Sequence, residues 1–352
     1  MQELFHWEDM GGFIRITGCA SPEHQLIIPE SIAGLPVKQI GDYAFRDMDI
    51  LEEAVLPPGI TRVGDHVFYN CPRLKEVTFW DSITFVGDGA FKNCDHLESM
   101  TFYSRNHHPS SLRRMMTDVM QDITVDYYYM QAGDAQPENA QLENTQQEDN
   151  QLQNARLENN QLQNARVENS QLQNAQPEDG RRVKGETAIG HARLMFPAFY
   201  FDYIENYPAR IFEEVIYGTG QAYRQCFRET DLDYAAYDRL FERSVREDHP
   251  ETVLQTAAGR LLYPVSLPQE RRRAYGNWLG QQADLCLGWF AAGDDPDTFA
   301  RLLDLDLFDR DGTERMLAAA QEKEKAVFVS LLMEYYGRRF ARKKGGRRRY
   351  EL

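Results

Sequence analysis

The sequence predicts an α+β multidomain chain: an N-terminal solenoid of short parallel strands, a low-complexity linker, and a C-terminal all-α domain of helical-hairpin repeats. Three observations predict it. A motif recurs as Ile40-Gly-Asp-Tyr-Ala-Phe45, Val63-Gly-Asp-His-Val-Phe68 and Val86-Gly-Asp-Gly-Ala-Phe91, each copy 23 residues after the last. From Gln131 to Gly180 there is no aromatic residue, and 21 of 50 positions are Gln or Asn. Beyond residue 190 the aromatic and aliphatic residues return, now at spacings of three and four. A 23-residue unit is too small to bury its own apolar face, so copies must stack. The expected boundaries are 1–130 for the solenoid with its caps, 131–189 for the linker, 190–340 for the helical domain and 341–352 for a basic tail.

Within the repeats, the equivalent positions are Met48, Cys71 and Cys94; Leu51, Leu74 and Leu97; Ala54, Val77 and Met100; and Leu56, Phe79 and Phe102. Apolar positions two apart read as the inward face of a short strand. Gly41, Gly64 and Gly87 permit a turn where a Cβ would obstruct. Asp42, Asp65 and Asp88 are expected to cap a following helical turn, with Phe45, Phe68 and Phe91 pointing inward. Three full copies are about the minimum for stability, so caps are expected. Phe13–Ile16 with Leu26–Ile28 forms the first, irregular coil, Ile123–Tyr129 a terminal strand, and Ser110–Gln121 a short helix between. Cys71 and Cys94 fall on adjacent coils, where a stacked apolar column is expected rather than a redox pair.

Ile28-Pro-Glu-Ser-Ile-Ala-Gly-Leu-Pro-Val-Lys-Gln-Ile-Gly-Asp-Tyr-Ala-Phe45 and its two successors resemble the leucine-rich repeats of the BspA type, over roughly residues 12–104. The resemblance implies a right-handed solenoid with a parallel sheet on each face, and members of that family are often surface adhesins.

Strand alternation places Glu53, Glu76, Thr78, Trp80, Thr101 and Tyr103 on the outward side. A Trp and a Tyr stacked on one exposed face, with Thr between, suit protein recognition. The candidate protein-binding residues are therefore Glu76, Thr78, Trp80, Thr101 and Tyr103. The same face can instead be covered by the C-terminal region, and the sequence leaves both outcomes open.

In the middle, the unit Gln151-Leu-Gln-Asn-Ala-Arg-Leu-Glu-Asn-Asn160 recurs at 161–170 and begins again at 171. Apolar residues five apart form no helical stripe and no heptad seam. Two readings stay open for 141–178: a disordered or weakly helical linker, which buries too little to offset ordering entropy, or a short β-helical stack. Ala155-Arg-Leu157 and Ala165-Arg-Val167 resemble the core of pentapeptide-repeat β-helices.

In the C-terminal part, Asp295-Pro296 starts a helix bearing Phe299, Leu302 and Leu303 on one face. Thr313 is expected to start another, with Met316, Leu317 and Ala320, and Ala326–Phe340 a third. Residues 297–336 resemble a degenerate ankyrin-like helical repeat, which implies stacked hairpins and no chemistry.

Net charge is −16, but residues 338–352 hold eight Arg or Lys and one Glu, so the remainder carries −23. An acidic body excludes a general nucleic-acid footprint; only the tail Arg338–Arg349 offers one, and a solvated tail explains it as well. The first ten residues carry no secretory pattern and no stretch is long enough to span a bilayer, so a cytoplasmic chain with reduced cysteines is expected. His107-His108 lacks further ligands at metal spacing. Asp294, Asp295, Asp304, Asp306 and Asp309 lack the Gly and terminal Glu of a calcium loop and fit helix ends better. No nucleophile–base order, phosphate loop or zinc motif occurs. No enzyme, cofactor or metal is expected; the expected function is non-catalytic protein–protein interaction in a bacterial cytoplasm, the alternative an exported adhesin of the BspA kind.

Overall fold

The computed structural model of the protein describes residues 4–20, 23–104, 110–117, 119–130, 189–206, 211–228 and 232–340. Each repeat contributes two short extended runs joined by turns, and the runs enter two sheets. One sheet orders β1 (Phe5–Asp9), β2 (Ile14–Cys19), β5 (Leu35–Ile40), β7 (Arg62–Val63) and β9 (Phe85–Val86), with β4 (Ser31–Ile32) antiparallel on β5. The other orders β3 (Gln25–Ile27), β6 (Glu53–Val55), β8 (Glu76–Trp80), β10 (Ser99–Ser104), β11 (Ile123–Met130) and β12 (Ile189–Phe196). From β3 to β11 the pairing is parallel, as a solenoid requires.

The inward columns are those expected. Leu26, Ala54, Val77, Met100, Val125 and Leu194 share one register row, all buried. Phe45, Phe68 and Phe91 stack at 5.5 Å between successive centroids. Cys71 Sγ donates to Phe45 O at 3.1 Å and Cys94 Sγ to Phe68 O at 2.9 Å, so the two thiols tie coils together instead of pairing.

The role of the aspartates differs from the expectation of a helical cap. Asp42 Oδ1 accepts the N–H of Asp65 (2.9 Å), and Asp65 Oδ1 accepts that of Asp88 (3.1 Å). The carboxylates serve the next coil, because the following residues form turns and not a helix. This close approach requires the neighbouring glycine. A Cβ on Gly87 would stand 2.1 Å from Asp65 Oδ1 and 2.6 Å from the backbone of the coil before. A further repeat-wide feature escaped sequence reasoning: Asp47, Asn70 and Asn93 all adopt φ near +60° (57°, 59° and 62°), a conformation Asx side chains tolerate.

A short helix, α1 (Ser110–Met115), precedes β11 as expected. β1, antiparallel to β2, closes the first coil and was not foreseen.

Residues 190–340 are not all-helical. β12 pairs antiparallel with β11 along its whole length, and β13 (Tyr200–Asn206) and β14 (Ile211–Tyr217) form a separate two-stranded ribbon. β12 supplies Ala192, Leu194 and Phe196 to the solenoid core, and α2 (Gly220–Arg224) and α3 (Tyr234–Arg239) add Tyr223 and Tyr237 to the same core. The described residues of 4–130 and 189–340 accordingly form one compact unit, where the expectation drew two domains joined by a linker. The physical reason is the edge of β11: its backbone groups need a partner, and β12 provides it.

The second core is helical: α4 (Phe241–Glu247), α5 (Pro250–Leu262), α6 (Gln269–Gln281), α7 (Ala283–Ala292), α8 (Pro296–Leu303), α9 (Arg310–Glu322) and α10 (Ala326–Phe340). Asp295 caps α8 by accepting from Thr298 N at 3.0 Å. α9 begins three residues before the expected Thr313, because Asp309 accepts from Gly312 N (2.7 Å) and is the cap. Asp304 and Asp306 pair with Arg338 and Arg339, which accounts for the start of the basic run.

The two cores meet through α5. It lies against β12 so closely that a Cβ on Gly259 would stand 2.6 Å from Arg193 O. Thr252 Oγ1 donates to Asp122 Oδ2 at 2.6 Å. Beside this contact, Asp238 of α3 holds Arg260 of α5 through two bonds of 2.7 and 2.9 Å and Tyr275 of α6 through one of 2.8 Å, with both charged side chains fully buried. The expectations for His107-His108, for 131–188 and for 341–352 lie outside the described residues.

Candidate protein-interaction face

The outward side of the second sheet is set by the same alternation that buries Val77 and Phe79. In register across β6, β8, β10 and β11, Glu53 lies beside Glu76, Thr78 beside Thr101 and then Asp126, and Trp80 beside Tyr103 and then Tyr128. All five expected residues therefore share one face.

The aromatic row continues further than the repeats. Trp80 stacks on Tyr103 (4.6 Å between centroids), Tyr103 on Tyr128 (5.1 Å), Tyr128 on His191 (4.2 Å) and His191 on Tyr263 (4.2 Å, tilted). Arg301 closes the row over the Tyr263 ring and donates to its hydroxyl at 2.8 Å. The ladder thus crosses from the repeats, through the antiparallel strand β12, to the end of α5. Trp80, Tyr103 and Tyr128 are half-buried. From Trp80 to His191 each ring stacks on the next, so the faces between them are covered. Burial, with Asp126 alongside, pushes the Tyr128 phenol well above its ordinary range, so it stays a hydrogen-bond donor.

The polar residues divide by position. Thr101 Oγ1 donates to Glu76 at 3.1 Å, and Gln25 Nε2 to Glu53 at 2.7 Å. Asp126 is held by His191 Nε2 at 2.8 Å and Arg193 at 3.9 Å. Thr78 differs from the expectation of exposure: it lies on the outward side but is only 3% exposed, and its hydroxyl has no hydrogen-bond partner among the described residues. Alternation sets the side a residue faces, while its large neighbours set its depth.

Part of the face is covered. Thr124 is buried and donates to Gln255 of α5 at 3.4 Å. A cleft of about 80 Å³ remains at this junction, walled by Arg193, Tyr263, Trp289 and Asp295. Sequence reasoning missed His191, Tyr263 and Arg193. Nothing in their local pattern marks them, since each reaches the face through pairing distant in sequence. Among the described residues, no group of three or more His, Cys, Asp or Glu is placed to hold a metal ion, and no helix is long and apolar enough to cross a membrane.

Comparison with known proteins agrees with the repeat region. Residues 24–114 match the family described as BspA type leucine rich repeat region (6 copies), so the N-terminal part is a parallel β-solenoid of leucine-rich repeat type. A leucine rich cell surface protein from Faecalibacterium prausnitzii is 25% identical, over 32% of this chain and 33% of that one, with a TM-score of 0.25. A leucine-rich repeat protein from Bacteroides capillosus is 23% identical over 28% of this chain and 78% of its own, with a TM-score of 0.27. The leucine rich repeat protein of T. pallidum is 20% identical over 28% and 68%, with a TM-score of 0.21. The chain spans about a third of the length of the first of these. No curated protein matches it.

Proposed function

We propose that the protein is a non-catalytic scaffold for protein–protein interaction, gripping its partner with the outward face of β8, β10 and β11. Glu76, Trp80, Thr101 and Tyr103 are the contact residues, with Thr78 buried beneath them in the same sheet. The observation that carries this is the half-buried stack of Trp80, Tyr103 and Tyr128, set on a rigid sheet and edged with polar groups. Aromatic anchors with little rotamer freedom to lose are what dominate protein interfaces. The leucine-rich repeat match supports a binding scaffold over an enzyme.

The helical part extends this scaffold as two hairpins of an ankyrin-like kind, α7–α8 and α9–α10. Supporting that, Asp294 (φ 50°) and Glu324 (φ 54°) occupy the same turn position, and Leu302 and Leu332 the same buried one.

The test is capture of partners from the native cell by the full chain and by a Trp80→Ala, Tyr103→Ala variant. The variant is expected to keep its fold by circular dichroism and to lose the partner; unchanged capture removes the assignment. We place the chain in the cytoplasm. The BspA-type match favours a second reading, an exported adhesin using the same face, and cell fractionation separates the two.

A further inference from the structure

We propose that the groove between α6 and the turn leading into α9 is a second docking site, which takes a short segment of a partner protein carrying one acidic and one basic side chain. The groove lies on the helical part, so the inference goes beyond the β8–β11 face and does not depend on it.

The groove has a volume of about 430 Å³, the size of pockets that hold ligands. Its two walls carry opposite charge. Arg272 and Arg273 begin one wall, on α6, and the amides of Asn277 and Gln281 follow at four-residue spacing along the same helix face. Asp306 and Asp309 stand on the other wall, in the turn between α8 and α9. Backbone packing fixes the separation. A Cβ on Gly280 would stand 2.7 Å from Leu307 O, and one on Gly276 would stand 3.1 Å from Leu307 Cδ2. Glycine at both positions lets the turn rest on α6 and keeps the space beside it open.

The charges across the groove do not satisfy one another. Ions nearby pair readily: Arg315 with Asp284, Lys325 with Asp294, and Arg338 and Arg339 with Asp304 and Asp306. The side chains of Arg272 and Arg273 have no hydrogen bond or ion pair among the described residues. Asp309 Oδ1 accepts from Gly312 N at 2.7 Å, and its Oδ2 is left over on the same terms. With Asp306 already engaged, the charges in play are the two guanidiniums and Asp309. A simple anion or cation satisfies one wall and is repelled by the other. A ligand bearing both charges satisfies both: a carboxylate on the guanidinium forks and an ammonium at Asp309. From Arg273 to Gln281 the helix rises about 12 Å, the span of about four residues of extended chain. Residues two apart on such a chain point the same way, so a Glu-x-Lys stretch turns both charges into the groove.

The probe is the blocked peptide acetyl-Ala-Glu-Ala-Lys-Ala-amide, with two analogues in which Gln replaces the Glu or the Lys. Each is titrated into the full chain at low salt and at about 0.15 M, and binding is read from the amide proton and nitrogen shifts of the protein. Saturable shifts over 273–281 and 306–309 are expected for the Glu-x-Lys peptide, with both analogues at least tenfold weaker. Arg272→Gln with Arg273→Gln should weaken it at least tenfold. So should Asp309→Asn, which removes the charge and keeps a side chain that caps α9 equally well. A remote pair on α1, Arg113→Gln with Arg114→Gln, should leave binding unchanged. Absence of saturable shifts, equal binding of the analogues, or equal weakening in the remote pair overturns the proposal. So does tighter binding when residues 341–352 are removed, since the chain's own tail would then be the occupant. The Trp80→Ala, Tyr103→Ala variant should bind the peptide as the parent does; a loss there would place the peptide on the β8–β11 face and remove the groove as its site.

Discussion

Replacing Asp238 by Ala should be among the most damaging single changes in the chain. Asp238 and Arg260 are 0–1% exposed on their side chains and share two hydrogen bonds, and Tyr275 donates a third to the same carboxylate. The change leaves a buried guanidinium uncompensated, which costs about 3–5 kcal/mol. It also leaves the Tyr275 hydroxyl without an acceptor, a penalty of about 1–3 kcal/mol. The two losses share one carboxylate and do not add fully, so about 4–6 kcal/mol is expected. The double variant Asp238→Ala, Arg260→Met removes both charges and should recover about 3 kcal/mol of that. Urea unfolding of the four proteins in a double-mutant cycle reads the coupling directly. A cost under about 1 kcal/mol for Asp238→Ala, or a coupling near zero, would refute the claim that this network is buried where the two cores meet.

Three further outcomes are expected. Gly87→Ala puts a Cβ 2.1 Å from Asp65 Oδ1, breaks the bond from Asp88 N to Asp65 and forces coils apart, so urea titration should show a loss of about 2–4 kcal/mol. Burial raises the phenols of Tyr223, Tyr237 and Tyr275 far above their ordinary value. The unfolded chain then gives up those protons first. Stability should therefore be level below about pH 9 and fall above pH 10, each tyrosine contributing about 1.4 kcal/mol per pH unit; a flat stability curve from pH 9 to 11 contradicts this. Burial pushes Cys226 and Cys286 up to about 12, and Cys71 and Cys94 donate their protons to carbonyls. At pH 8 a thiol reagent should label the half-buried Cys19 first and the other four only on unfolding.

Local signals carried much of the fold. The 23-residue spacing named the coil, and the pairs Val77/Phe79 and Met100/Phe102 told inside from outside, so Trp80 and Tyr103 could be placed as neighbours. Asp295-Pro296 marked its helix correctly because capping acts over three residues. What stayed hidden was non-local. β12 joins β11 across residues 131–188, and no periodicity within Ile189–Phe196 announces its partner. The aromatic ladder looked two rungs long for the same reason: Tyr128, His191 and Tyr263 reach it from three separate stretches. Asp42 and Asp65 were assigned the commonest role of an Asp before a turn, although stacking offered them the backbone of the next coil. Thr78 shows the limit of alternation, which gives direction and says nothing of depth.

The most direct test of the account is to express 1–130 and 189–352 as two separate chains. The fold predicts that they assemble one to one, because β11 needs β12 and the solenoid core needs Phe196, Tyr223 and Tyr237. Each piece alone should be unstable, and the mixture should regain the near-ultraviolet dichroism of the intact protein. Two pieces that each fold cooperatively and ignore one another would show a pair of tethered domains, and would contradict the continuous body described for the described residues.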